Sequence, residues 1–285
     1  MINGYSIEVM PRTAAKIESF RELLPKGTRV YIANIEGTSL DDMVATARRI
    51  RDDGFAVMPH FPARLIPDAA TFENWLIRYR DEAGVDEALV LGGGTAAPAG
   101  EYQDSMQLFE TGLFDKYGFT RLHVAGHPEG NRDIDRDGTT HIIDQALLWK
   151  QDFSTRTDVD IAITTQFFFE AKPVLQWLER IRALGVTLPV HLGVAGPTKL
   201  QTLMKFALMC GVGASVKVLK RRALDLTKLL RPYEPTELLA EITRYKASHP
   251  DIGIAQYHFF PLGGVKPCVE FAARQADQQI QVKAV

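Results

Sequence analysis

Eight short apolar segments with strand character alternate along the chain with amphipathic helical stretches, and this alternation constrains the fold more than any other feature. The predicted strands are Tyr5–Met10, Arg29–Asn34, Phe55–Pro59, Glu87–Leu91, Arg121–Ala125, Asp160–Thr164, Pro189–Gly193 and Ile252–Phe259. Strands that alternate with helices form parallel sheets, and apolar strands indicate that helices cover the sheet. Because eight strand–helix units are the number that closes a barrel, we predict an α/β fold, a single (β/α)8 TIM barrel over residues 1–285.

The helical stretches between these strands support a single domain. They are predicted at Ala14–Leu24, Leu40–Asp53, Ala69–Ala83, Tyr102–Tyr117, Ile142–Gln151, Ala171–Leu184 and Lys199–Cys210. Ser39 is the expected N-cap of the second helix, with Asp41 and Asp42 in its first turn, where the helix dipole favours carboxylates. Extra C-terminal helices are expected at Val216–Ser248, broken near Pro232–Pro235, and from Lys266–Gln275 onward. No Pro/Gly/Ser-rich linker separates a second domain.

Charge and cysteine content narrow the classes of partner. The chain has 33 Lys and Arg against 35 Asp and Glu, a formal net charge of -2, whereas nucleic-acid binders are usually basic. Two cysteines cannot form a disulfide framework and suit a reducing compartment. The chain has no apolar run long enough to span a membrane and no signal-peptide core. We therefore expect a cytoplasmic protein with a small-molecule ligand, and neither nucleic acid nor membrane as partner.

Active sites of this fold lie at the carboxyl ends of the strands, so the residues predicted there are the candidates. Glu8 ends the first strand, and a carboxylate at that depth is either paired or has a raised pKa. It is therefore either a structural, satisfied glutamate or a general acid. The other strand ends carry Asn34, His60, Gly92–Gly94, His127, Gln166 and His258.

Three of these residues, His60, His127 and His258, allow a different interpretation. A ring of histidines at the mouth of a barrel is typical of metal-dependent hydrolases. The first strand, however, lacks His-x-His, and the eighth does not end in Asp. A metal-dependent hydrolase stays an alternative, with no metal ligand assigned.

Two other segments have a functional and a structural interpretation each. Residues 133–144 (DIDRDGTTHIID) have the acidic spacing of a calcium loop, but such a loop needs two flanking helices. Since this loop joins a strand to a helix, we favour a role in capping the helix. The basic run Lys217–Arg222 is expected to be a solvated helix face or a patch for an anionic ligand tail.

Five motifs together are similar to one known family. They are ITTQFFFE at Ile163–Glu170, VAGHPE at Val124–Glu129, SIEVMP at Ser6–Pro11, Pro59–His60 and HFFPL at His258–Leu262. Each is weak alone, but they occur in the same order and on the same strands as in the methylenetetrahydrofolate reductase family, which the chain resembles from about Ser6 to Leu262.

The resemblance implies an oxidoreductase that interconverts 5,10-methylenetetrahydrofolate and 5-methyltetrahydrofolate with NADH or NADPH, usually through bound FAD. It leaves the physiological direction and the oligomeric state open, although members of the family form dimers or tetramers, so a homo-oligomer is one expectation. Glu8 matches the acid that protonates the folate, and Gln166 matches the glutamine that binds the pterin. The implied cofactor contacts are Asn34, His60, Leu91, Gly92, Gly93, Tyr102, His127, Asn131, Asp144 and Lys150. The implied substrate contacts are Gln166, Gly94, Phe168, Leu200 and Phe259.

Several positions depart from the family pattern around the flavin. Gly92–Gly94 stands where the family has R-G-D, so an Asp that faces flavin and folate is absent. Ala33–Asn34 replaces a Thr-Tyr pair, His127 replaces a tyrosine, and Lys150 is what remains of a basic cluster. We therefore expect FAD to bind more loosely than is usual for the family. A flavin-independent folate oxidoreductase on the same barrel is the alternative.

Overall fold

The computed structural model describes residues 4–209 and 232–283, with side chains as far as residue 276. Eight parallel strands follow one another in sequence order around a closed barrel, as the alternation predicts. The strands are β1 (Tyr5–Val9), β2 (Arg29–Ile32), β3 (Ala56–Pro62), β4 (Glu87–Leu91), β5 (Arg121–Gly126), β6 (Asp160–Thr165), β7 (Val190–Ala195) and β8 (Ile254–Phe260). The prediction of a (β/α)8 barrel is confirmed.

Helices follow the strands along the chain. They are α1 (Pro11–Ala14), α2 (Phe20–Leu23), α3 (Leu40–Asp52), α4 (Ala69–Ala83), α5 (Ser105–Glu110), α6 (Leu113–Lys116), α7 (His141–Ser154), α8 (Ala171–Ala183), α9 (Leu200–Met209), α10 (Thr236–Ser248) and α11 (Val265–Lys283). The first part of the predicted helix Val216–Ser248, and with it Lys217–Arg222, lies outside the described residues. Within the described part of the chain, no helix is long and apolar enough to cross a membrane.

The chain divides into two compact units. The early unit contains Ser6–Ala125 and Trp149–Thr164, and thus nearly all of β1 to β6. The late unit contains Met1–Tyr5, Gly126–Leu148 and Thr165–Val285, with β7 and β8.

The early unit is built around an aromatic cluster. Phe61 of β3 is fully buried and packs against Phe72 and Tyr79 of α4, with ring centroids 6.0 and 5.3 Å away. Phe114 of α6 lies edge-on to Phe61 at 5.6 Å. These rings fix α4 and α6 against the sheet, since aromatic pairs of this geometry add to the free energy of burial.

The predicted helix Ala14–Leu24 is wrong in one respect: it is two short helices, α1 and α2. Ser19 caps α2 by accepting a hydrogen bond from the backbone N–H of Glu22 at 3.2 Å. The N–H of Phe20 donates to the carboxylate of Asp53 at 2.7 Å. A side chain remote in sequence therefore satisfies the start of α2, which local periodicity could not indicate.

The predicted helix Tyr102–Tyr117 is likewise two helices, α5 and α6. Asp104 caps α5, because its carboxylate accepts from the N–H groups of Met106 and Gln107. Gly112 separates the two helices with a φ of 67°, a left-handed conformation that favours glycine. Tyr102 consequently lies in the loop before α5 and not on a helix.

Five strands end later than predicted, and in the third strand this moves the site residue His60 into the strand. The third strand continues past Pro59 because His60 pairs with Leu89 of β4 in register. The seventh and eighth continue together, since Gly193 pairs with His258. Pro59 and Gly193 suggested strand ends at these two positions, yet the ladder continues, so His60 and Gly193 lie inside strands.

Candidate active site

A carboxylate and an imidazole meet in the early unit, on strands that flank β2. Glu8 is on β1 and His60 on β3, and β2 pairs with both strands. The Nε2 atom of His60 lies 3.2 Å from Oε2 of Glu8, and their side chains are 11% and 18% exposed, respectively. Among the described residues, Nε2 of His60 makes no hydrogen bond of ordinary geometry. Glu8 is thus a paired carboxylate that is still partly exposed to solvent.

Sequence reasoning missed a buried polar network in the same unit. The hydroxyl of Tyr31 lies 2.7 Å from Nδ1 of His123 and 3.2 Å from Oγ1 of Thr164, and these last two atoms are 2.9 Å apart. All three residues are buried, and burial raises the pKa of Tyr31. The sequence does carry a signal for this network, namely one polar residue inside each of three apolar strands.

A glycine turn follows β4 and is tied to the segment after β3. The N–H of Arg64 donates to the carbonyl of Gly92 at 2.9 Å. Gly93 has a φ of 95°, so its backbone requires glycine. A Cβ at Gly92 or Gly94 would meet open space. These two glycines therefore leave room that the protein itself does not fill. Leu91, half-buried at the end of β4, packs against Tyr31, Met58 and Leu89.

Lys150 on α7 is a buried cation. It is 5% exposed, and burial lowers its pKa to about 8, against a smaller opposing effect of Asp104. The described residues offer its ammonium no hydrogen bond or ion pair. Tyr102 is also buried, which raises its pKa, and Asn34 after β2 is 9% exposed.

In the late unit, Gln166 directly follows β6. Its N–H donates to the carbonyl of Gly126 at 3.0 Å, and its side-chain Oε1 accepts from the N–H of Phe167 at 3.1 Å. The side-chain amide nitrogen makes no hydrogen bond within the described residues, so its two N–H donors are available to a ligand.

Gly193 of β7 makes this position of Gln166 possible. A Cβ at Gly193 would clash with the carbonyl oxygen of Thr165 and lie 2.9 Å from the backbone carbon of Gln166. The N–H of Gly193 also donates to Oγ1 of Thr165 at 2.8 Å. Only glycine permits this close approach of the two strands.

The acidic loop 133–144 caps α7, as favoured from the sequence. The buried carboxylate of Asp135 accepts from the N–H groups of Ile142 and Ile143, at 2.8 and 3.2 Å. Asp144 forms an ion pair with Arg180 and accepts from the hydroxyl of Thr140.

Two further flavin candidates lie before the acidic loop. The side-chain oxygen of Asn131 accepts from the N–H of Asp133 at 2.9 Å. His127 is half-buried directly after β5. Asn131 and Asp144 therefore hold the local structure as well as being candidates for ligand contact.

The three apolar substrate candidates lie in the core. Phe259 is fully buried between Tyr5 and Phe271, with ring centroids 5.4 and 6.3 Å away. Phe168 is 1% exposed and Leu200 is 6% exposed. These three side chains are therefore packed against other residues of the protein.

Phe260, which the sequence reasoning did not select, is only half-buried and packs edge-on against His258 at 4.8 Å. Because neighbouring strand residues point to opposite faces, Phe260 shares the face of His258 and Phe259 does not.

The alternative of a metal-dependent hydrolase requires a cluster of ligating side chains. In the chain as far as the structure describes it, no group of three or more His, Cys, Asp or Glu side chains is placed to hold a metal ion.

No family model matches the chain. An uncharacterized protein from Clostridium thermocellum that binds two copies of 5-methyl-5,6,7,8-tetrahydrofolic acid is similar over 96% of this chain and 94% of its own, with a TM-score of 0.58 and 12% identity. The 3-dehydroquinate dehydratase of Aquifex aeolicus VF5 matches over 96% and 98%, with a TM-score of 0.45 and 10% identity. A mandelate racemase/muconate lactonizing enzyme of Bordetella bronchiseptica RB50 matches over 69% and 46%, with a TM-score of 0.36 and 12% identity. At 12% identity, the similarity to the Clostridium thermocellum protein shows the fold alone. That fold is a barrel shared with a protein that binds a methylated folate.

Proposed function

We propose that the chain is an oxidoreductase that interconverts 5,10-methylenetetrahydrofolate and 5-methyltetrahydrofolate with NADH or NADPH. The observation that carries the proposal is the contact of Glu8 with His60, a partly exposed carboxylate–imidazole pair on β1 and β3. The barrel shared with a 5-methyltetrahydrofolate-binding protein supports a folate as ligand. The motif resemblance supports the reaction.

The reaction needs a proton donor, and Glu8 is the proposed one. In the reductive direction the Glu8 carboxyl gives its proton to the bridge nitrogen N10 of the folate. The bond from the methylene carbon to N10 breaks with its electron pair left on N10, and the lone pair of N5 forms an iminium. A hydride that originates from the nicotinamide then reduces the iminium to the methyl group. His60 lies next to the carboxylate that Glu8 becomes and is able to return a proton to it.

Gln166 is proposed to bind the pterin. Its free amide donors suit the carbonyl and ring nitrogen acceptors of that ring. Loss of such a hydrogen bond costs about 1–3 kcal/mol, so Gln166→Ala should lower folate affinity by that amount.

In the early unit, one residue, Lys150, has the charge needed to bind the diphosphate of FAD. Lys150 is a buried cation without a hydrogen-bonding partner among the described residues, and an anion would stabilise its charged form. Lys150, Tyr102, the open glycine Gly92 and its neighbour Gly93 would hold the cofactor. Hydride transfer between nicotinamide and folate is the chemistry that FAD would supply there. Gly94 offers no carboxylate, which supports looser binding and keeps a flavin-independent enzyme as the second candidate.

The test is to titrate the purified protein with 5-methyltetrahydrofolate and then to assay nicotinamide-dependent reduction of methylenetetrahydrofolate with and without added FAD. We expect folate binding and activity that rises with FAD. Activity without any FAD binding would favour the flavin-independent candidate. Absence of folate binding would overturn the proposal.

A further inference from the structure

Three polar side chains occupy positions that apolar residues usually fill in a barrel of this kind. Tyr31 on β2, His123 on β5 and Thr164 on β6 are 0%, 1% and 5% exposed. The interior of such barrels is normally packed with branched apolar side chains. Burial of polar groups is costly unless they are hydrogen-bonded, and these three bond to one another at 2.7 to 3.2 Å. A network of this kind fixes the orientation of its members.

Tyr31 connects this network to the proposed acid. It is in register with Glu8 across the β1–β2 pair. Its ring lies edge-on to the His60 ring, with centroids 6.4 Å apart and planes at 86°. The hydroxyl is held by His123 and Thr164 while the ring contacts His60. Tyr31 is therefore anchored at one end and in contact with His60 at the other.

His60 depends on such packing for its orientation. Its Nε2 lies 3.2 Å from Glu8 but makes no hydrogen bond of ordinary geometry among the described residues. Side chains that react must be held within a fraction of an ångström by neighbours whose own conformations are fixed.

We propose that Tyr31, His123 and Thr164 are positioning residues that hold the His60 imidazole against Glu8 in the geometry needed for proton transfer. The inference rests on the proposed function, because Glu8 is taken as the acid of that reaction. None of the three touches substrate in this scheme, and each acts through His60.

The test compares two buried tyrosines in the same unit. Tyr31→Phe removes the anchored hydroxyl and keeps the ring. Tyr79→Phe is the matched control, since Tyr79 is fully buried and its hydroxyl has no hydrogen-bonding partner among the described residues. We expect Tyr31→Phe to lower kcat by about 10–100-fold and leave KM for the folate unchanged, as a misplaced catalytic group does. Tyr79→Phe should leave both constants unchanged.

A double-mutant cycle with Glu8→Gln separates positioning from general damage to the fold. If Tyr31 acts through the Glu8–His60 pair, Tyr31→Phe should have no further effect in the Glu8→Gln background. The inference would be overturned if Tyr31→Phe lowered kcat equally in the wild-type and Glu8→Gln backgrounds. It would also be overturned if Tyr31→Phe and Tyr79→Phe lowered kcat equally.

A measurement without substrate keeps this test independent of the proposed reaction. The imidazole nitrogen NMR signals of His60 should shift in Tyr31→Phe and stay in place in Tyr79→Phe. Unchanged signals in Tyr31→Phe would overturn the positioning role. Shifted signals in a protein that binds no folate would instead overturn the proposed function alone.

Discussion

The two ends of the strands in the early unit use charge in opposite ways. At the amino ends, Arg29 forms a two-point ion pair with Glu87, and Arg121 bridges Glu87 and Asp160. At the carboxyl ends, Glu8 meets one imidazole, whose Nε2 lacks a well-formed hydrogen bond among the described residues. Paired charges stabilise the first end, whereas the pair at the second end stays partly exposed at the face where active sites of this fold lie.

The largest effect is expected from a substitution that removes the acid of the Glu8–His60 pair at the carboxyl ends of the strands. Glu8→Gln keeps the shape of the side chain and removes its acid, so turnover of the folate should fall by about 10²–10⁴-fold. The same substitution at the amino end, Glu87→Gln, should keep turnover per folded molecule. Steady-state kinetics on both variants at a temperature where both are folded would check this. Wild-type turnover in Glu8→Gln would show that Glu8 is structural.

The next effect concerns the stability cost of Lys150. Because burial lowers its pKa to about 8, the folded protein carries the full cost of the buried charge below that pH. As pH rises from about 8 toward 10.5, the ordinary pKa of a lysine, the folded lysine becomes neutral while the unfolded one still binds a proton, so the cost of the buried charge disappears. Lys150→Met should therefore raise the free energy of unfolding at pH 7, by about 3 kcal/mol at most.

Denaturant unfolding of wild type and Lys150→Met across this pH range would measure the effect. The gain in the free energy of unfolding of Lys150→Met over wild type should shrink above pH 8 and vanish near pH 10.5. A gain that does not depend on pH would mean that the methionine packs better and that the charge is not the cause.

A smaller effect tests the amino-end ion pairs. Glu87→Gln leaves Arg29 without its carboxylate partner, and the two side chains are only 12% and 15% exposed, respectively. We expect a loss of about 2 kcal/mol in the free energy of unfolding. Asp160→Asn is the control, since Asp160 is 54% exposed and a solvated pair contributes less than about 1 kcal/mol. Thermal or denaturant unfolding would measure both losses. Equal losses of unfolding free energy in Glu87→Gln and Asp160→Asn would contradict the expectation that the buried pair contributes more.

The elements that the sequence predicted well are those defined by local signals. The helix Ala69–Ala83 and the strand Glu87–Leu91 were predicted to the residue, because periodicity and flanking turn residues define them. The break between α1 and α2 could not be predicted, since Asp53 satisfies it from a distant part of the chain.

Motifs in the sequence selected single residues of the candidate site, but they could not indicate contacts between strands. Glu8 and Gln166 were selected from motifs, but the contact of Glu8 with His60 and the network around Tyr31 depend on strand register. Phe259 was chosen where alternation along β8 places Phe260 on the face of His258. Phe259 stays a prediction, and Phe260 joins it as a candidate on the opposite face, because adjacent residues of one strand point to opposite faces.

The glycine turn after β4 has a consequence for how this barrel can change over evolution. Gly93 is confined to glycine by its φ of 95°. A side chain at Gly94 would enter open space, and its backbone is not in the left-handed region. A single substitution could thus place an aspartate at residue 94 with no rebuilding of the turn. The turn thus joins one residue that its backbone restricts to glycine with a neighbour that could gain a functional side chain.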